Sequence, residues 1–162
     1  MNYSPISLAI VIDANTAVRA VMPVSQEREV KKLKEWHQNN IPLFAPDVWS
    51  AEVTTAVRQS IAFKLISPEE GIQILKDLFA LEVQVIPSDL DQCQAALSWA
   101  SRLGQSKAYD GFYLALAERL SAERGGQVEF WTADERLYNR GRQIGAPGIR
   151  WTGEEKILGG QS

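Results

Sequence analysis

Four short apolar runs, Leu8–Ile12, Pro42–Ala45, Val83–Ile86 and Val128–Trp131, alternate with stretches long enough for helices, and this alternation constrains the fold most. Continuous apolar runs of this length suit strands buried on both faces, the condition of a parallel sheet. Joining parallel neighbours requires a crossover, which helices supply. The pattern therefore predicts an α/β fold, a central parallel sheet with helices on both faces. Helix starts are marked independently. Ser67-Pro68-Glu69-Glu70 reads as a capping box with proline at the first helical position. Thr132-Ala133-Asp134-Glu135 has the same Thr-x-x-Glu form, so Thr132 is expected to cap a helix and Glu135 to reach back. Asp89 is expected to cap the helix carrying Trp99. Leu103 to Lys107 and Gly125–Gly126 read as loops.

A chain of 162 residues fits one domain with a real core. No apolar run reaches the length needed to cross a bilayer. Leu8–Ile12 lacks a basic leader and runs into Asp13, so it is not read as a signal peptide. Cys93 is the only cysteine, which leaves no intrachain disulfide or cysteine-rich zinc site. A reducing cytoplasm is the expected location. The core is expected over about residues 8–150, with the tail after Trp151, ending Gly159-Gly160-Gln161-Ser162, loose.

Chemistry is concentrated in acids. Asp13 directly follows the first apolar run, and ligand sites of open α/β sheets lie beyond the carboxyl ends of the strands. A helix cap explains an aspartate there equally well. Asp134 has the same address after the fourth run, where favourable charge against a helix dipole is the plain alternative. Glu52 is harder to explain structurally. Trp49, Glu52, Val53, Ala56, Val57 and Ser60 form one helical stripe, so Glu52 projects from a mostly apolar face. A carboxylate there must be paired, protonated or metal-bound. Asp110 precedes Gly111-Phe112-Tyr113-Leu114-Ala115-Leu116-Ala117, a run apolar on nearly every side and hence a central helix; capping is the alternative for it too.

If the four acids converge to about 5 Å, each like-charge pair repels by roughly 3 kcal/mol at an effective dielectric near 20. A domain stable by about 5–15 kcal/mol cannot carry several such terms uncompensated. Mg²⁺ or Mn²⁺, which prefer carboxylate oxygen and water, would compensate. The formal net charge of −3 shows no basic footprint for nucleic acid, but bound cations offset the acids that hold them. His37, the only histidine, lies in the polar segment Lys34-Glu35-Trp36-His37-Gln38-Asn39-Asn40 and is read as a solvated helix end. That disfavours histidine-driven catalysis. Glycine-rich phosphate or dinucleotide loops are absent. The five tryptophans are read as core and interface residues.

Four segments resemble those of a PIN domain, specifically the VapC-type toxin ribonucleases of bacterial toxin–antitoxin pairs. They are Ile10-Val11-Ile12-Asp13-Ala14-Asn15-Thr16, Pro46-Asp47-Val48-Trp49-Ser50-Ala51-Glu52-Val53, Ala108-Tyr109-Asp110-Gly111-Phe112-Tyr113-Leu114-Ala115-Leu116-Ala117-Glu118 and Trp131-Thr132-Ala133-Asp134-Glu135-Arg136-Leu137. They occur in the family's order, and the resemblance spans roughly Leu8 to Arg150. It implies a single three-layer α/β/α nuclease domain over residues 1–162, with Mg²⁺ or Mn²⁺ at the carboxyl edge of the sheet. The family's acids fall on Asp13, Glu52, Asp110 and Asp134. Thr132 matches the hydroxyl position near the metal, and Asn15 a polar position beside the first acid. Gly111 stands where the family commonly has a small side chain, and is expected to loosen the helix start.

The implied activity is a metal-dependent endoribonuclease in which Asp13, Asp110 and Asp134 hold one or two cations. Glu52 binds metal or helps deprotonate the attacking water. Implied partners are an RNA substrate and a small cognate antitoxin. A homodimer is also expected, with apolar helix surface in the Phe63–Phe79 region contributing, because Ile61, Phe63, Leu65 and Ile66 crowd one turn region with more than a single helix stripe buries. Competing readings are a PIN nuclease of RNA maturation without antitoxin and a catalytically silent RNA-binding module. A haloacid-dehalogenase-type phosphatase is more remote, because Asn15 replaces the second aspartate of that family's loop and no acidic pair follows the last strand.

Overall fold

The computed structural model describes residues 7–23 and 27–154. Five parallel strands, β1 Ala9–Ile12, β2 Leu43–Pro46, β3 Gln84–Ile86, β4 Val128–Thr132 and β5 Ile149–Trp151, form one sheet in the order β3-β2-β1-β4-β5. The helices are α1 Ala14–Val21, α2 Glu27–Gln38, α3 Val48–Ala62, α4 Pro68–Phe79, α5 Leu90–Leu103, α6 Tyr109–Glu123 and α7 Glu135–Gln143. The chain runs outward from β1 through β2 to β3, then returns to the other side of β1 as β4. The strand order therefore reverses between β1 and β4, and a crevice opens there beyond the carboxyl ends.

The central strands follow the apolar runs within a residue at each end. All four residues of β1 are fully buried, as a strand covered on both faces requires. The third run departs from its reading as a buried strand. Gln84 and Val85 are exposed, because β3 pairs only with β2 and lies at the sheet edge. The fifth strand was not predicted. Ile149-Arg150-Trp151 has no apolar run to announce it, and its exposed Arg150 reflects the opposite edge.

Ser67 and Glu70 form the expected capping box, and Asp89 accepts from the Gln92 backbone N–H at 2.8 Å. Thr132 does not cap α7. It ends β4, fully buried, and the cap is Asp134, whose Oδ1 accepts from Arg136 N at 2.8 Å and Leu137 N at 3.2 Å. The strand simply runs one residue further than its apolar pattern.

The start of the tail is not loose. Thr152 is buried and donates its hydroxyl to Glu29 Oε1 at 2.7 Å, so the chain just beyond Trp151 is packed against α2. Residues 155–162, including the terminal glycines, lie outside the described residues. Four of the tryptophans are core residues at 6% exposure or less, and His37 is exposed near the end of α2.

The central helix is α6, which buries Tyr113, Leu114, Ala115, Leu116, Ala117 and Leu120 and packs on β1, β2 and β4. Helix α5 crosses its start so closely that a Cβ on Gly111 would fall 2.3 Å from the Ala96 carbonyl oxygen. Gly111 thus permits a tight α5–α6 approach and does not loosen the helix. No helix among the described residues is long and apolar enough to cross a membrane.

Candidate active site

Asp13 follows β1 at the switch point and begins α1. Its Oδ1 accepts from the Thr16 backbone N–H at 2.8 Å and the Thr16 hydroxyl at 2.7 Å. Its side chain is buried at 7% exposure, and that loss of water pushes its pKa up to about 6. Hydrogen bonds from Thr132 and Thr16 work against the rise, and the charge of Asp110 adds to it. Thr132 stands between two of the acids: it also accepts from the Asp134 backbone N–H at 3.0 Å.

Glu52 projects from α3 on the expected stripe, half-buried. The Tyr113 hydroxyl donates to its Oε1 at 2.8 Å. Burial raises the Glu52 pKa, the Tyr113 hydrogen bond lowers it, and the charges of Asp110 and Asp13 raise it. Tyr113 itself lies at 1% exposure, stacked on Phe130, with its pKa pushed far up by burial and then by Glu52.

Asp110 is the second residue of α6 and is not its cap; that position is Ala108, which makes no side-chain cap hydrogen bond. Gln105 donates to Asp110 Oδ2 at 2.7 Å. The Asp110 pKa is raised by burial, eased by Gln105 and raised by Asp134. Asp134 is exposed at the start of α7.

One cleft of about 410 Å³ brings Asp13, Asn15, Glu52 and Asp110 together over Tyr113. Thr132 and Asp134 are not in its lining and join through Asp13 and Asp110. Electrostatic coupling links all four acids, from Glu52 to Asp13 and Asp110, from Asp13 to Asp110, and from Asp110 to Asp134. Among the described residues no three acids form a ready-made metal cage. Mg²⁺, however, keeps several waters and is commonly held by one or two carboxylates plus substrate phosphate. Mutually repelling carboxylates with free oxygens have the right chemistry for such a hydrated ion.

Sequence reasoning missed Tyr113, Thr16, Gln105 and Lys107, which also line or support this cleft. Tyr113 was findable, since it follows Asp110 by three residues and so shares its helix face. Gln105 and Lys107 lie in a loop whose course the sequence does not specify.

A family model described as a PIN domain matches residues 11–157. No curated protein matches the chain. Among solved structures, a toxin–antitoxin complex from Klebsiella pneumoniae matches with a TM-score of 0.62 and 15% identity, covering 89% of this chain and 98% of that one. VapBC2 from Rickettsia felis, bound to a DNA fragment from its promoter, matches with a TM-score of 0.60 and 14% identity, covering 89% and 98%. VapC20 from Mycobacterium tuberculosis, a sarcin-ricin loop cleaving toxin, gives 0.54 and 14% over 78% and 92%. At these identities the likeness is one of fold.

Proposed function

Because this chain belongs to the PIN-domain family, we propose that it is an Mg²⁺- or Mn²⁺-dependent endoribonuclease, the toxin of a toxin–antitoxin pair. The observation that carries the reading is the gathering of Asp13, Glu52 and Asp110 in one cleft at the switch point, with Asp134 coupled to Asp110. Asp13, Asp110 and Asp134 are the residues that would hold the cation, with Glu52 as a further ligand or as base. When bound, it would activate water and neutralise charge on the scissile phosphate.

The protein's own groups prepare this chemistry. Helix N–H groups occupy Oδ1 of Asp134, and Thr16 occupies Oδ1 of Asp13, which orients each carboxylate. Gln105 holds Asp110 by Oδ2 and leaves Oδ1. Tyr113 fixes Glu52 by Oε1. A half-buried Glu52 with a raised pKa suits general-base work, taking a proton from water as its oxygen attacks phosphorus, while the P–O bond to the leaving nucleoside oxygen breaks and that oxygen takes a proton from solvent.

The toxin role is supported by the antitoxin complexes among the similar folds. An arginine from such a partner would suit the acidic cleft, because its planar fork pairs carboxylates bidentately. A homodimer is part of the proposal. Phe63, Leu65, Ile72 and Phe79 are all more than half exposed on α4 and the connection from α3. Ile66 from the sequence-based patch instead turns into the core, and Ile61 packs against Gly71. The deciding experiment is cleavage of single-stranded RNA with Mg²⁺ or Mn²⁺. Asp13→Asn, Asp110→Asn and Asp134→Asn should each nearly abolish it, and full activity in EDTA would overturn the reading.

A further inference from the structure

The cleft has a wall that the acids do not explain. Tyr109 opens α6 immediately before Asp110, lines the cleft, and is 51% exposed. An aromatic ring left half in water contributes little to the core, and Tyr109 makes no side-chain hydrogen bond or ring contact among the described residues. Two residues earlier, Lys107 lines the same cleft beside Glu52 and Asp110 and is exposed. Its ammonium makes no ion pair among the described residues. Opposite, on α3, Thr55 and Gln59 continue the helical face that carries Glu52 into the cleft. Neither side chain makes a hydrogen bond to the described residues. A flat aromatic face, an unspent cation and two unspent hydrogen-bonding groups therefore border one acidic centre.

We infer that Tyr109 and Lys107 form a nucleotide subsite beside the acidic centre, which stacks an unpaired base on the Tyr109 ring and holds a neighbouring phosphate with Lys107. The inference rests on the ribonuclease reading and names the side chains that would meet the strand beside the acids. A base inside a duplex has both faces covered by its neighbours, so only an unpaired or splayed base can lie on the ring. The acids repel the phosphate backbone, and a cation at the rim offsets this while fixing the strand's register. Thr55 and Gln59 are placed to meet base edges or sugar hydroxyls, which makes them the candidates for sequence preference.

The test is steady-state cleavage of a single-stranded RNA oligonucleotide by the full chain with Mg²⁺ or Mn²⁺, over a range of salt. Stacking on an aromatic ring is worth about 5- to 150-fold per base. Tyr109→Ala should raise KM by that order with a much smaller change in kcat. Tyr109→Phe, which keeps the ring, should stay close to the parent and also controls for folding. Lys107→Gln should flatten the slope of log(kcat/KM) against log salt by about 0.7, the value for one contact to a single strand. Tyr109→Ala should leave that slope alone. An unchanged KM in Tyr109→Ala, equal damage in Tyr109→Phe, or a parental salt slope in Lys107→Gln would overturn the subsite while the parent's cleavage keeps the nuclease reading intact. A parent that cleaves no RNA would overturn both.

Discussion

Replacing Asp13 by asparagine should stabilise the metal-free protein at neutral pH while removing its activity. Asparagine caps a helix about as well as aspartate, so it can keep the Thr16 hydrogen bonds at Oδ1. What it removes is a buried negative charge. The Asp13 pKa is raised from 3.8 to about 6, chiefly by burial. Between these values the folded protein holds a proton that the unfolded chain has released, so stability falls as pH rises through the window. Two pKa units correspond to about 3 kcal/mol, a net value that already includes the hydrogen bonds from Thr132 and Thr16. For a chain of this size each kcal/mol moves the melting temperature by about 2–4 °C. Melting curves in EDTA should therefore place Asp13→Asn above the parent by up to roughly 6–12 °C at pH 7.5, with the gap closing towards pH 4. A difference that stays constant across this range, or reverses sign, would show that burial does not strain this carboxylate.

Gly111→Ala should destabilise the protein, because an overpacked core site costs about 1–3 kcal/mol and the gain in helix propensity is only about 1 kcal/mol. An unchanged or higher melting temperature would refute the 2.3 Å approach to the Ala96 carbonyl as a constraint. Asp110→Asn should be more stable than the parent without metal at neutral pH, since burial and Asp134 both raise the Asp110 pKa. Mg²⁺ at 100 times its dissociation constant should stabilise the parent by about 2.7 kcal/mol and the variant much less; equal shifts would separate Asp110 from the cation. Phe63→Ser with Leu65→Ser should convert a dimer to a monomer by light scattering, and a monomeric parent at micromolar concentration would dispose of the interface.

The sequence disclosed most where one physical demand acted alone. Burial on both faces wrote β1 as Ala-Ile-Val-Ile, and a central position wrote the first half of α6 as apolar on nearly every side from Gly111 to Ala117. At the sheet edges two demands compete. Gln84 and Val85 face solvent although Val83–Ile86 reads as apolar, and Ile149-Arg150-Trp151 is a strand whose middle residue is charged. The Gly111 contact was illegible for another reason. It depends on how closely α5 crosses α6, which no local pattern encodes. Tyr113 was masked because its ring serves the core and its hydroxyl serves Glu52, so periodicity counts it only as apolar.

The same overlap governs the acids, for each of which the sequence offers a structural role and a chemical one as alternatives. Asp13 and Asp134 are both helix caps, and both stand at the carboxyl edge beside the switch point. A cap uses one carboxylate oxygen. In each residue Oδ1 accepts the helix N–H groups, and this ties the carboxylate to a rigid element with Oδ2 unspent by the cap. Such an anchoring lowers the entropy that a ligand must otherwise remove when it binds. Capping therefore prepares these two residues for a cation and does not compete with it. Glu52 and Asp110 are not caps, and their anchors come from side chains, Tyr113 and Gln105. Each of the four carboxylates is thus anchored by the fold: Asp134 by backbone N–H groups, Asp13 by the Thr16 backbone and hydroxyl, and Glu52 and Asp110 by the side chains of Tyr113 and Gln105.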